Sequence, residues 1–223
     1  MSRGAEPESS APVEAFRPAR LVVVFGTGTE VGKTWVSART LAALREHGVS
    51  VAARKPAQSF DPADPHPTDA HVLGGATGEA PHTVCPAARW YDVAMAPPMA
   101  ADALGMQPIA LADLVADLTP WPDGTDVGLI ETAGGPRSPL AHDGDCLDLA
   151  LAVQPSHAVL VADAGLGTIN SVRLCLAAIG PAIVVLNRYD DTDDLHRRNL
   201  AWLTADDTTV VTTPEQLADL LLD

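Results

Sequence analysis

Lys33 and Thr34 close the run VVVFGTGTEVGKT, residues 22–34, in which a short apolar strand enters a glycine-rich turn and a helix begins. Residues in this order hold a nucleoside triphosphate. The turn, with Thr29, Glu30, Val31 and Gly32, offers backbone N–H groups to the phosphates. The Lys33 ammonium reaches the terminal phosphates, and the Thr34 hydroxyl faces a magnesium ion. The helix N-terminus adds unpaired donors and a favourable dipole. A common phosphate loop has four residues between its glycines. Counting back from Gly32 lands on Thr27, with Gly26 one place earlier, so this loop is a variant longer by one residue. The motif specifies a triphosphate and magnesium and leaves the acceptor open.

Other charged residues gather at the ends of apolar runs. Lys55 precedes Pro56, which disfavours a helical Lys55 and holds it extended. That aims a second cation at the phosphate loop, where it suits charge developing on a transferring phosphoryl group or its acceptor. Magnesium takes oxygen ligands, commonly one or two carboxylates with phosphates and water. Thr34 offers one oxygen and Glu131, after the run 127–130, a second. Asp69 offers a third and reads equally as a helix cap. The segment GLGTIN, 165–170, has glycines that admit a ligand to the backbone and N–H groups that face an anion; a tight turn is the alternative. Asn187-Arg188-Tyr189-Asp190 resembles the Asn-Lys-x-Asp signature of guanine-binding proteins, with Arg for Lys, and Asn187 can read a base through its amide. His66, His71, His82 and His142 share no metal-ligand spacing.

These groups need a frame. Strand-like runs at 21–25, 49–54, 127–130, 158–162, 182–186 and 209–211 alternate with helical patterns at 34–47, 68–75, 99–104, 111–119, 168–179, 192–204 and 214–222. Continuous Val/Ile/Leu strands between helices predict an α/β fold, a mostly parallel sheet covered on both faces, of the P-loop NTPase kind. Ligands of such sheets bind outside the carboxyl ends of the strands, where the residues named above lie. One domain over 21–223 is expected, after a flexible Ser/Pro/Ala/Glu-rich leader over 1–20.

The formal net charge of −15 argues against a nucleic-acid-binding surface. No apolar run reaches the roughly 18 residues of a membrane span. Cys85, Cys146 and Cys175 are odd in number and far apart, and read as reduced thiols of a cytoplasmic protein.

Taken together, GTGTEVGKT, Lys55-Pro56-x-x-Ser59, Thr68-Asp69, Glu131-Thr-Ala-Gly-Gly135 and GLGTIN resemble dethiobiotin synthetase over residues 21–223. The resemblance implies an ATP-dependent, magnesium-dependent enzyme that joins CO2 to 7,8-diaminononanoate and closes a cyclic urea through a carbamate and a carbamic-phosphoric anhydride. It implies Lys33 on the β/γ-phosphates, Lys55 on carbamate and γ-phosphate, and Thr34, Asp69 and Glu131 on magnesium. Ser59, Thr132, Gly134 and Gly135 would line the diamine site. It further implies a homodimer with the substrate across the interface, where Gly165, Leu166, Gly167, Thr168 and Asn170 of the neighbouring subunit receive the distal carboxylate. Two positions depart from the family: Gly28 stands where Asp is usual, and no proline follows Asn187 closely. ATP is the family's nucleotide, and the second departure leaves other triphosphates open.

Two other readings are weighed. An ATP-dependent amide synthase would need an added glutaminase domain or partner. A nucleotide switch of the partitioning type usually has a further lysine at the start of the loop, where this chain has Phe25-Gly26-Thr27.

Overall fold

The computed structural model describes residues 16–222. Strand β1 (Arg20–Gly26) runs through the phosphate loop into α1 (Lys33–Glu46) and β2 (Val51–Arg54). The short β3 (Gln58–Ser59), α2 (Asp69–Thr77), α3 (Pro81–Val84) and β4 (Trp90–Tyr91) follow. Helices α4 (Pro97–Ala103) and α5 (Leu111–Asp117) precede β5 (Val127–Glu131). The hairpin of β6 (Pro139–Ala141) and β7 (Gly144–Asp145) enters α6 (Cys146–Val153), then β8 (His157–Asp163) and α7 (Thr168–Ile179). The chain closes with β9 (Ile183–Asn187), α8 (Asp194–Thr204), β10 (Val210–Val211) and α9 (Pro214–Leu222).

Six strands form one sheet in the order β10-β9-β8-β1-β5-β2, with every pair parallel. Its central strands are apolar without alternation because both faces are covered. In β1, Val23 and Phe25 pack with Leu114, Leu149, Val172 and Leu203 from α5, α6, α7 and α8. Val22 and Val24 face the opposite way, onto Leu41, Leu44, Leu73, Leu217 and Leu221 from α1, α2 and α9. Each such side chain, fully buried, contributes roughly 1.5–3 kcal/mol. The expected α/β architecture is the observed one, and β1 with its loop lies at its centre.

Several elements differ from the sequence expectation. Helix α6 has no counterpart in it. Asp145 starts this helix by accepting from the N–H groups of Leu147 and Asp148, while the Asp148 carboxylate accepts from the Asp145 N–H, a reciprocal cap. Helix α4 begins at Pro97, ahead of residue 99, since proline suits a first helical turn. Residues 1–15 of the expected leader lie outside the described residues. Of the remainder, Phe16 packs on the core, Pro18 is buried and Arg20 opens β1. Pro18 and Trp121 come so close to Gly128 that a Cβ there would lie 2.6 Å from Pro18 Cγ.

At the far end of the sheet, β2 is fastened sideways. The Ala53 N–H donates to Glu79 Oε2 at 2.8 Å, and the Lys55 N–H donates to the Val84 carbonyl at 2.8 Å. Arg54 pairs with Glu79 at 2.7 Å, donates to the Pro120 carbonyl at 2.9 Å and lies 4.7 Å from the Trp121 ring centre. This fixes the backbone that carries Lys55. Among the described residues, no helix is long and apolar enough to cross a membrane.

Candidate functional site

The phosphate loop is pinned at its root by the strands beside it. The Gly26 N–H donates to the Gly134 carbonyl at 3.0 Å, and the Thr27 N–H to the Val161 carbonyl at 2.9 Å. Gly32 turns into α1 with φ 88°, a conformation suited to glycine. Space demands glycine as well, since a Cβ there would lie 2.1 Å from Asn187 Nδ2. Lys33 curls over the loop, and its ammonium donates to the Gly28 carbonyl at 3.1 Å. Burial, then the nearby Lys55 ammonium, pushes the Lys33 pKa below the ordinary lysine value. A phosphate would reverse that balance by supplying the missing anion. A Cβ at Gly28 would meet nothing within 4 Å, so the loop has room for a side chain there that this chain does not use.

A closed charge cluster lies beside the loop. Thr34 Oγ1 is 2.8 Å from Asp69 Oδ1 and 2.8 Å from Glu131 Oε1. The Lys55 ammonium bridges the same carboxylates, at 2.7 Å from Asp69 Oδ2 and 2.8 Å from Glu131 Oε1. Lys55 is 3 % and Glu131 0 % exposed. Burial alone would lower the Lys55 pKa, but the two carboxylates outweigh it and hold the ammonium above the ordinary lysine value. Burial likewise opposes the charge on Asp69, and Lys55 overrides it to keep that carboxyl below the usual carboxylate range.

Thr34 Oγ1 and the two carboxylates are hard oxygen donors of the kind magnesium takes. Among the described residues, Glu131 Oε2 is buried with no hydrogen-bond partner. An anionic oxygen sealed from water costs free energy unless a cation or donor meets it, so the donor set fits a magnesium ion. Among the described residues no group of three or more His, Cys, Asp or Glu could form an all-protein cage. Magnesium does not need one, because phosphates and water complete its shell.

The cluster forms one wall of a cleft of about 1250 Å³. Thr29, Glu30, Gly32, Lys33, Thr34, Lys55 and Asp69 line it, together with Ser59, Phe60, Met95, Pro97, Gly134 and Pro139. Ser59 Oγ donates to the Met95 carbonyl at 2.5 Å, which ties β3 to the segment before α4. The structure therefore brings Thr29, Glu30, Gly32, Lys33, Thr34, Lys55, Ser59, Asp69, Glu131 and Gly134 together. Val31 does not line the cleft, and its carbonyl accepts from Asn187 Nδ2.

Other expected site residues are engaged with protein partners. Thr132 is buried, and its hydroxyl donates to the Val24 carbonyl at 2.9 Å, so its side chain does not line the cleft. The Gly135 N–H is taken by Ser138 Oγ at 2.8 Å. Asn187 braces the phosphate loop: its Nδ2 donates to the Val31 carbonyl at 2.9 Å. Arg188 reaches the cleft while tying Glu30 to β8, donating to the Glu30 carbonyl at 3.0 Å and to Asp163 Oδ2 at 2.9 Å.

The segment 165–170 does not line this cleft. Leu166 is 91 % exposed, Asn170 is exposed, and Gly165 donates its N–H to Asp163 Oδ1 at 2.9 Å. At Gly167 the chain turns with φ 92° into α7. Thr168 is buried, and its Oγ1 has no hydrogen-bond partner among the described residues.

The sequence reading missed Ser138, Phe60, Met95, Pro97 and Pro139. The β6–β7 hairpin that carries Pro139 turns at His142-Asp143, a pair without the Asn-Gly or Asp-Gly signature of a two-residue hairpin turn.

A family model described as an AAA domain matches residues 20–203. The chain is 41 % identical over 165 residues to the ATP-dependent dethiobiotin synthetase BioD of Rhodococcus jostii (strain RHA1), across 73 % of this chain and 68 % of that protein. It is 37 % identical over 180 residues to the protein of the same description from Caulobacter vibrioides (strain NA1000 / CB15N), across 77 % and 81 %. Among solved structures it resembles the signal recognition particle receptor FtsY from Elizabethkingia anophelis in complex with GDP. That match has a TM-score of 0.51 and 14 % identity, and spans 92 % of this chain and 59 % of the receptor chain. A likeness of that degree concerns the fold alone.

Proposed function

The chain belongs to the ATP-dependent dethiobiotin synthetase family, and from that premise we propose how its residues carry out the reaction. The enzyme joins CO2 to 7,8-diaminononanoate and closes a cyclic urea, in biotin biosynthesis, with consumption of a nucleoside triphosphate. One amine takes up CO2 as a carbamate. The γ-phosphoryl group passes to a carbamate oxygen, and the second amine attacks the carbamoyl carbon as phosphate departs.

The observation that carries the assignment of roles is the Lys55 ammonium held 2.7–2.8 Å from Asp69 and Glu131, beside the phosphate loop. Carbamate and triphosphate are both anions, and they approach only where positive charge is fixed in advance. Two Lys55 donors are engaged by carboxylates, and the third makes only a long 3.4 Å contact with the Thr132 carbonyl. That donor serves the carbamate. Burial strengthens its field relative to a lysine in water. Lys33 and the amides of Thr29, Glu30, Val31 and Gly32 hold the phosphates. Thr34, Asp69 and Glu131 would hold magnesium, which when bound neutralises phosphate charge. Ser59 and Gly134 border the diamine, and Phe60, Met95, Pro97 and Pro139 give its methylene chain an apolar flank.

The reading includes a homodimer in which the partner's 165–170 segment receives the distal carboxylate. Its support is that this glycine-bearing turn does not line its own cleft and exposes Leu166. Three free cysteines, two of them buried, support a reducing, cytoplasmic setting. Asn187 is engaged with the loop, so base preference is best measured directly. Purified protein with diaminononanoate, bicarbonate, magnesium and each of the four common triphosphates should yield the urea by mass spectrometry. Absence of the urea with all four would refute the activity, and urea formation undiminished in Lys55→Ala would refute the role of that residue.

A further inference from the structure

Asp69 has to present one oxygen to Thr34 and the other to Lys55, yet it is the first residue of α2, just after the Pro/Asp-rich stretch 60–67. A helix start of this kind leaves its first N–H groups without intrahelical partners, and a Thr at the capping position ordinarily accepts from one of them. Here Thr68 makes no such bond. Its hydroxyl faces His71 Nδ1 at 2.9 Å instead. The N–H of Ala70, directly after Asp69, donates to Gln58 Oε1 at 3.0 Å, and Gln58 Nε2 donates to Thr68 Oγ1 at 3.3 Å. Gln58 is 3 % exposed and lies on β3, so one buried amide grips the residues on both sides of Asp69 from a different element.

We propose that Gln58 is a positioning residue for the metal-binding carboxylate: it supplies the helix cap that Thr68 does not, and so fixes Asp69 between Thr34 and Lys55. The inference rests on the magnesium assignment made above. Outer partners of metal ligands act by fixing ligand orientation, and removing one commonly costs about 10–100-fold in metal affinity. Gln58→Met keeps the length and bulk of the side chain and removes both hydrogen bonds. The expected result is a protein that binds nucleotide without magnesium as the parent does. It should need at least about tenfold more magnesium to gain the metal-linked increase in affinity.

The experiment is a magnesium titration of nucleotide binding by calorimetry on the parent and on Gln58→Met. Gln58→Glu, which keeps the acceptor for the Ala70 N–H, is the rescue and should recover most of the increase. A purely structural role would lower the melting temperature and leave the magnesium midpoint alone. If the parent shows no magnesium-linked increase, the metal assignment itself fails. If the parent shows it and Gln58→Met retains the same midpoint, only the present inference fails. Hydrogen exchange on the parent chain tests the same point without a variant. The Ala70 amide should exchange as slowly as amides inside α2, and fast exchange there would overturn the cap.

Discussion

At the carboxyl ends of β1, β2 and β5, the Lys55 ammonium and the Glu131 carboxylate are shut away from water and locked to Thr34 and to Asp69, whose side chain is 40 % exposed. At the ends of β8 and β9, Asp163 and Arg188 also pair, at 2.9 Å, but with 47 % and 60 % of their side chains exposed. Both lie where such sheets bind ligands, and the energetics differ. A buried ionic cluster is costly to desolvate, so each member depends on its partners, and losing one costs about 3–5 kcal/mol. An exposed pair contributes about 0–1 kcal/mol and is screened by salt. The first region has its geometry imposed in advance, as chemistry on two anions requires. The second is held lightly and suits a surface completed by something that docks on it.

The hardest blow to this contrast is Lys55→Ala. Turnover should fall by about 10²–10³ or more, as when a transition-state donor is removed. Stability should drop by about 3–5 kcal/mol as Glu131 loses its ammonium; steady-state assay and urea unfolding measure the two. Glu131→Gln should reduce the magnesium-linked gain in nucleotide affinity by at least about tenfold, read by calorimetry, and an unchanged gain would remove Glu131 from the metal.

Asp69 sharpens the contrast through pH. Its folded pKa lies below the ordinary value, so its stabilising contribution is complete above the ordinary carboxylate range and is lost as pH falls through the lowered value. The stability gap between parent and Asp69→Asn should therefore be full at pH 7 and shrink progressively below about pH 4. A gap that stays at its full pH 7 size down to pH 2 would contradict the sign.

The second region should respond differently. Leu166→Glu should shift the proposed dimer toward monomer in sedimentation while leaving the stability of the chain within about 0.5 kcal/mol, as for an exposed position. A dimer unchanged by this substitution would exclude Leu166 from the interface. The smallest effect belongs to the Asp163–Arg188 pair. A double-mutant cycle should return about 0.2–1 kcal/mol at low salt, and less at 1 M.

The sheet was legible because 21–25, 127–130, 158–162 and 182–186 are apolar runs whose burial on both faces needs no alternation. That Lys33, Thr34, Lys55, Asp69 and Glu131 would meet was legible too, since they follow strands or open helices, and the parallel topology gathers those ends. What escaped was anything set by side-chain direction over a single residue. Glu131 and Thr132 are neighbours, yet one faces Thr34 and the other Val24, because successive residues of an extended chain point to opposite sides. Asn187 occupies the expected position, and only tertiary contact with Val31 gives its amide a different partner. Helix α6 was missed because its start depends on reciprocal bonds between Asp145 and Asp148, while its eight residues are too few for a clear period.

The sideways fastening of β2 by Glu79 and Val84 bears on how copies of this chain can meet. A terminal strand with free N–H groups is a template on which a foreign strand can add. Here the outward amides of Ala53 and Lys55 are already occupied, and the opposite border of the sheet, β10, is only two residues long. Neither rim of the six-stranded sheet invites polymerisation by strand addition.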